Sequence, residues 1–188
     1  MHPCTIKPKP TAVTKVEYFA ALPYAALPRF MAVLRDRHGE AARALEFTSL
    51  TAARTGVALR AALFELNMSS GTWTVAGERI KAKLEQTVPP SKTALAIVSK
   101  RADRRLLLPN DLSGEPLSEN AVSALLERMG LGLGRITVHG FPSTFKDWSG
   151  ETTDFLGDLS EAALAHRIRD KAKASYKRCE AGRASWVD

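Results

Sequence analysis

Five residues of this sequence have types suited to phosphoryl chemistry, in the order Arg54, Lys81, His139, His166 and Tyr176. Attack on a phosphodiester needs cations against the non-bridging oxygens, an acid for the departing oxygen and a nucleophile. Taken singly, each residue also has a plainer explanation. Arg54 lies among small and apolar residues in "LTAARTG", where a buried ion pair would account for its charge. Lys81 falls at a hairpin, where exposed lysines are common. His139 precedes a helix start in "ITVHGFPSTFKDW", a place for capping or packing, and His166 fits a satisfied interior histidine. Leu164, Ile168, Ala172 and Tyr176 recur every four residues, so the tyrosine could belong to a core stripe. Their joint presence in this order is what favours the chemical reading.

The elements that must position these groups are mostly helical. "ALPRFMAVLRD" places Phe30, Val33 and Leu34 on one face behind a first-turn Pro28. "EAARALEFTSLTAARTG" reads as a second helix ending at Gly56, a residue able to supply a left-handed cap, with Arg54 in the last turn. Short β-prone runs at about 63–66, 72–76 and 85–89, separated by Ser-Ser-Gly and Gly-Glu turns, predict a small antiparallel sheet with Lys81 near its second hairpin. "LSENAVSALLERMG" is helical over Val122, Leu125, Leu126 and Met129 and stops at Gly130. "DLSE" at 158–161 has capping-box spacing and opens a basic helix toward Tyr176. The fold class expected is mainly α with a small antiparallel β-sheet, α+β.

Composition narrows the setting. A chain of 188 residues can bury one proper core. No apolar run approaches the roughly 18 residues that span a bilayer, so no membrane partner is expected. The start "MHPCTIKPKP" lacks the apolar stretch of a secretion signal, and a cytoplasmic location is expected. Cys4 and Cys179 stand near opposite ends, and the histidines have no ligand-like spacing, so neither a metal nor another cofactor is expected. The excess of 27 basic over 20 acidic residues is concentrated in "KPKP", "KRADRR" and "HRIRDKAKASYKR". Such clusters suit a polyanion.

"LEFTSLTAARTG", "WTVAGERIKAKLEQTVP", "PLSENAVSALLERMG", "TVHGFPSTFKDW" and "AALAHRIRDKAKASYKR" resemble successive blocks of the tyrosine recombinase, or phage integrase, catalytic domain, particularly of prophage and genomic-island integrases. The resemblance runs from about Ala20 to Arg178. It leaves residues 1–19 as an extended arm, 20–178 as a catalytic domain and 179–188 as a C-terminal tail. It implies that Arg54 holds the scissile phosphate, Lys81 protonates the departing 5′ oxygen, His139 opens a His-x-x-Arg motif, His166 hydrogen-bonds the phosphate, and Tyr176 is the nucleophile. A 3′-phosphotyrosyl link to double-stranded DNA follows, without metal or nucleotide.

The sequence departs from that pattern at Pro142, which stands where the second catalytic arginine of His-x-x-Arg belongs. Proline has neither charge nor N–H, so half of the guanidinium clamp is absent. Lys146 and Arg135 are the nearby cations that could substitute. Val57 replaces an acidic residue found in many relatives after the "RTG" block, which leaves the histidine less well oriented. Before residue 20 there is no room for the helical domain with which such integrases clamp DNA, so weak site-specific binding is expected. The expectation is a recombinase catalytic domain with impaired cleavage. The alternative is a non-catalytic remnant that binds DNA or another recombinase. Its tail, with Trp186 as anchor, would exchange between protomers or simply fray.

Overall fold

The computed structural model describes residues 20–80, 83–99, 105–131, 136–154 and 157–164. A 3-10 turn at Tyr24–Ala26 leads into helix α1 (Leu27–Arg35), whose first turn carries Pro28, where a missing N–H costs nothing. This helix buries Phe30, Met31 and Leu34. Val33, expected on the same face, is exposed, because the stripe is centred between those three residues and position 33 falls at its edge.

Helix α2 (Glu40–Thr51) runs through the middle of the fold and packs against α1 and against two later helices, α4 (Lys92–Ser99) and α5 (Glu119–Arg128). Ala42, Ala44, Leu45 and Phe47 are buried along it. Burying a side chain such as Phe47 contributes about 1.5–3 kcal/mol. Hydroxyls tolerate this interior because they bond back to the preceding turn. Thr48 donates to Ala44 O at 2.7 Å and Thr51 to Phe47 O at 2.8 Å.

The expected end of this helix is corrected by the structure. α2 stops at Thr51, and the left-handed residue is Ala52 with φ 49°, not Gly56. Arg54 is extended and heads a separate short helix, α3 (Thr55–Ala58), with Gly56 inside it. An alanine in the left-handed region costs roughly 1–2 kcal/mol. The surrounding packing therefore holds the chain in a turn that local preference would not choose.

Strands β1 (Leu66–Asn67), β2 (Thr72–Val75) and β3 (Gln86–Val88) form one antiparallel sheet in that order, with Leu66 opposite Trp73 and Trp73 opposite Val88. Residues 63–65, expected as strand, form a 3-10 turn instead. Trp73 and Val75 face the core, and the Trp73 ring lies 5.4 Å from that of Phe47, which docks the sheet on α2. Helix α4, not expected from the sequence, is opened by Ser91, whose Oγ accepts from the Ala94 N–H at 3.2 Å.

Ser118 caps α5 by accepting from Ala121 N–H, and Gly130 ends the segment at φ 72°. A 3-10 turn at Val138–Gly140 leads into α6 (Phe141–Thr152), against which α7 (Gly157–Ala163) packs. Since α7 already begins at Gly157, the "DLSE" box lies inside the helix rather than before it. The observed class is the mainly α fold with one small antiparallel sheet. Among the described residues, no helix is long and apolar enough to cross a membrane.

Candidate active site

Arg54 occupies the turn between α2 and α3, where the left-handed Ala52 redirects the chain and the Arg54 carbonyl accepts from the Val57 and Ala58 N–H groups. Its side chain is half-buried. Among the described residues none pairs with the guanidinium, so the ion pair that would have explained this arginine structurally is not formed there. Arg54 lines a depression together with Thr51, Trp73, Ile80, Gln86 and Leu164. Ile80 immediately precedes Lys81 in sequence, and Leu164 stands two residues before His166. Lys81, His166 and Tyr176 themselves lie outside the described residues, as do the 1–19 arm and the 179–188 tail.

The second described member, His139, is joined to the Arg54 turn. Its Nδ1 lies 3.3 Å from Thr55 Oγ1, and Thr55 is buried. Its Nε2 lies 3.5 Å from Glu119 Oε2. A carboxylate can only accept, so Nε2 presents its N–H to Glu119, while the Thr55 hydroxyl and Nδ1 share one hydrogen bond. The ring is 45% exposed, leaving an edge open to a ligand. His139 therefore has a carboxylate beside it although Val57 supplies none. The carboxylate comes from the first turn of α5. Gly56 makes room for it, since a Cβ there would lie 3.2 Å from Glu119 Oε1.

Glu119 was missed from sequence because nothing local links a helix start to a histidine twenty positions later. The glycine after His139 has a steric cause. A Cβ on Gly140 would lie 2.4 Å from Ala20 O and 2.9 Å from Ala21 Cα. The Thr137 N–H donates to Ala20 O at 2.9 Å, and the Thr144 hydroxyl donates to Leu22 O at 2.7 Å. The segment 20–22 is thus the seat on which the His139 turn rests.

Pro142 is in the first turn of α6, where the helix accommodates it. Of the two cations that could replace the absent guanidinium, Lys146 is engaged elsewhere: its Nζ lies 2.5 Å from Glu161 Oε1 on α7. Arg135 lies outside the described residues. Helix α7 is further tied down by a Ser149–Ser160 hydroxyl pair to α6 and by the Gln86 side-chain amide, which donates to Ala163 O at 2.8 Å. Among the described residues, no three His, Cys, Asp or Glu side chains gather as a metal site would require.

Comparison with known proteins gives this arrangement a context. No protein-family profile matches the chain. Prophage integrase IntA of Escherichia coli K12 is 31% identical over 136 residues, covering 70% of this chain and 32% of that protein. Prophage integrase IntZ of the same organism is 30% identical over 154 residues, covering 78% and 38%. The chain thus spans about a third of the length of the curated relatives it matches. The fold is shared with the XerH site-specific recombinase bound to difH (TM-score 0.60, 16% identity, 97% of this chain and 58% of that one). A lambda integrase dimer on a COC′ core site gives a TM-score of 0.61 at 17% identity, covering 95% and 65%. Lambda integrase as a tetramer on a Holliday junction gives 0.63 at 17%, covering 86% and 51%. With prophage integrases as its sequence relatives and this fold in common with recombinases, the chain is a tyrosine recombinase catalytic-domain-like protein.

Proposed function

We propose that this chain is the catalytic part of a site-specific DNA recombinase acting through a 3′-phosphotyrosyl intermediate, with strand cleavage impaired at Pro142. The observation that carries the reading is the Arg54 turn: a half-buried guanidinium with no partner among the described residues, adjacent to the threonine that bonds His139. In this reading Arg54 holds the scissile phosphate, His139 and His166 hydrogen-bond it, and Tyr176 attacks phosphorus. The Tyr176 Oη–P bond forms as the P–O5′ bond breaks; the phenol releases its proton to solvent, and Lys81 gives one to the departing 5′ oxygen. Bond energy is kept in the protein–DNA link, so the step draws on no metal or nucleotide cofactor.

Lys81, His166 and Tyr176 enter through the motif resemblance and the prophage integrase relatives. Double-stranded DNA as partner, and assembly of several protomers on it, are supported by neighbours of the same fold that are DNA-bound dimers and tetramers. The tail over 179–188 is the segment proposed for exchange between protomers, and the cytoplasm is where the DNA would be met. Loss of one electrostatic contact to the transition state costs about 3–4 kcal/mol, a factor of several hundred in rate. Lys146 does not make it good while it faces Glu161.

A nicked duplex from DNA flanking the gene, which traps any covalent adduct, tests this reading. The expected result is a faint or absent adduct from the native chain, a clear one from Pro142→Arg, and none once Tyr176→Phe is added. Silence from all of them after prolonged incubation would overturn it.

A second reading, a non-catalytic DNA-binding or recombinase-interacting remnant, is favoured by Pro142 together with the engagement of Lys146 by Glu161. Duplex affinity falling steeply with salt, without cleavage by either chain, would select it.

A further inference from the structure

Glu65 is a carboxylate at 6% exposure in the 3-10 turn before β1. An ionised group so placed is stable only when donors surround it. Its Oε2 accepts from the Ala62 N–H at 3.1 Å and from the Trp73 indole Nε1–H at 3.1 Å. Its Oε1 accepts from Nη1 of Arg79. Arg79 then reaches onward: Nη2 donates to the Val57 carbonyl at 2.8 Å, three residues past Arg54 in α3. One planar guanidinium thus spans two elements that are otherwise separate in sequence, a geometry that lysine cannot reproduce with its single nitrogen.

The two ends of this bridge lie at the Arg54 turn and in the β2–β3 connection. Arg79 closes the 3-10 turn Gly77–Arg79, and its own N–H donates to Ala76 O at 3.0 Å. That turn is packed backbone on backbone, since a Cβ at Gly77 would lie 2.9 Å from Lys83 O. Ile80, next in the chain, is buried beside Arg54 in the same depression. The bridge therefore starts from a rigid base and ends on α3. There the Val57 and Ala58 N–H groups hold the Arg54 carbonyl.

We infer that Arg79, seated on Glu65, is a positioning residue that braces the Arg54 turn. The inference rests on the proposed function for its catalytic consequence, but not for the brace itself. Without the brace, α3 keeps its sequence and loses its fixed relation to the sheet. Arg54 then no longer meets a scissile phosphate at a set distance.

Two measurements test this, each on the full chain. Arg79→Met alone strands a buried carboxylate, so the paired variant Glu65→Gln with Arg79→Met is made as well, and Arg79→Lys serves as the conservative control. Amide hydrogen exchange by NMR is expected to speed up at Val57 and Ala58 by about tenfold or more in the Met variants, as the loss of a charge-assisted bond implies. The α5 amides of Leu125 and Leu126 stay protected, and Arg79→Lys recovers little. Unchanged exchange at Val57 and Ala58, or an equal rise throughout the chain, overturns the brace.

The second measurement uses the nicked duplex in the Pro142→Arg background, with a phosphodiester or a methylphosphonate at the scissile position. A methylphosphonate carries one negative charge fewer and needs less of the cation at Arg54. It should recover cleavage in the paired Met variant in the same proportion as in Arg54→Ala. Recovery in Arg54→Ala alone overturns the route through Arg54. Absence of cleavage by the Pro142→Arg chain with Arg79 intact sinks the proposed function and the catalytic role together, while the exchange result still decides the brace.

Discussion

The Thr55 hydroxyl lies 3.3 Å from Nδ1 of His139, joining a residue next to Arg54 to one 84 positions further on. Two turns from distant parts of the chain are thereby registered against each other by one hydrogen bond. Thr55 is almost wholly buried, while the imidazole is about half exposed. The fixed partner is the threonine, and the histidine is the one that is aimed.

Thr55→Val roughly keeps the volume and removes the hydroxyl. The expected loss is about 0.5–1.5 kcal/mol in urea unfolding, the net worth of one such bond. Ring ¹⁵N shifts of His139 should also move, because Nδ1 loses its hydrogen-bond partner. A native-like imidazole spectrum in this variant would contradict the Thr55–His139 hydrogen bond.

Gly140→Ala places a methyl group against backbone atoms of Ala20 and Ala21 that cannot rotate away. A destabilisation of about 1–3 kcal/mol is expected, the usual range for overpacking. Thermal unfolding would show it as a lowered midpoint, whereas Gly150→Ala, inside α6 with no atom within 4 Å, should raise the midpoint slightly through helix propensity. Equal effects at the two positions would remove the close approach as the reason for a glycine after His139.

Lys146→Met removes the cation that faces Glu161 near the surface. Exposed pairs of this kind contribute about 0–1 kcal/mol, so unfolding should change within that range. If Lys146 stood in for the missing arginine, any adduct from the native chain would vanish with it. No change in adduct yield is expected.

The Tyr24 phenol is held above the ordinary tyrosine value of 10.0 by a hydrogen bond to Glu151, with charge repulsion from that carboxylate and partial burial acting in the same direction. The folded state prefers the neutral phenol. The stabilisation is therefore complete below the unfolded value and is lost as pH rises through the raised one. Ultraviolet titration should show one tyrosine ionising late, and Glu151→Gln should return it toward 10.0. Tyr24→Phe should delete that late step alone.

Much of the fold was legible because its signals are local. Pro28 and the Phe30–Leu34 pair mark α1, the apolar spacing from Val122 to Met129 with Gly130 marks α5, and the turn residues between Asn67 and Thr72 divide β1 from β2. The end of α2 was not legible. Gly56 is the residue that local preference selects for a left-handed cap, yet tertiary packing imposes that conformation on Ala52 and starts a new helix after Arg54. The "DLSE" spacing misled for a related reason, since α7 begins one residue before it.

The residue types of the candidate site could be read from the chain, but not what supports them. Glu119 beside His139, Thr55 beneath it and Arg79 reaching Val57 are contacts between elements distant in sequence, which no periodicity encodes. Position 57 is the clearest case. Its lack of a carboxylate suggested a poorly oriented histidine, and a carboxylate from another helix faces that histidine instead.

The seat formed by residues 20–22 makes that segment part of the histidine's mounting. Ala20 accepts from Thr137, Leu22 accepts from Thr144, and the Ala20–Ala21 backbone presses on Gly140. A change in the backbone at 20–22 would therefore be felt at His139 through these contacts, although the two lie far apart in sequence.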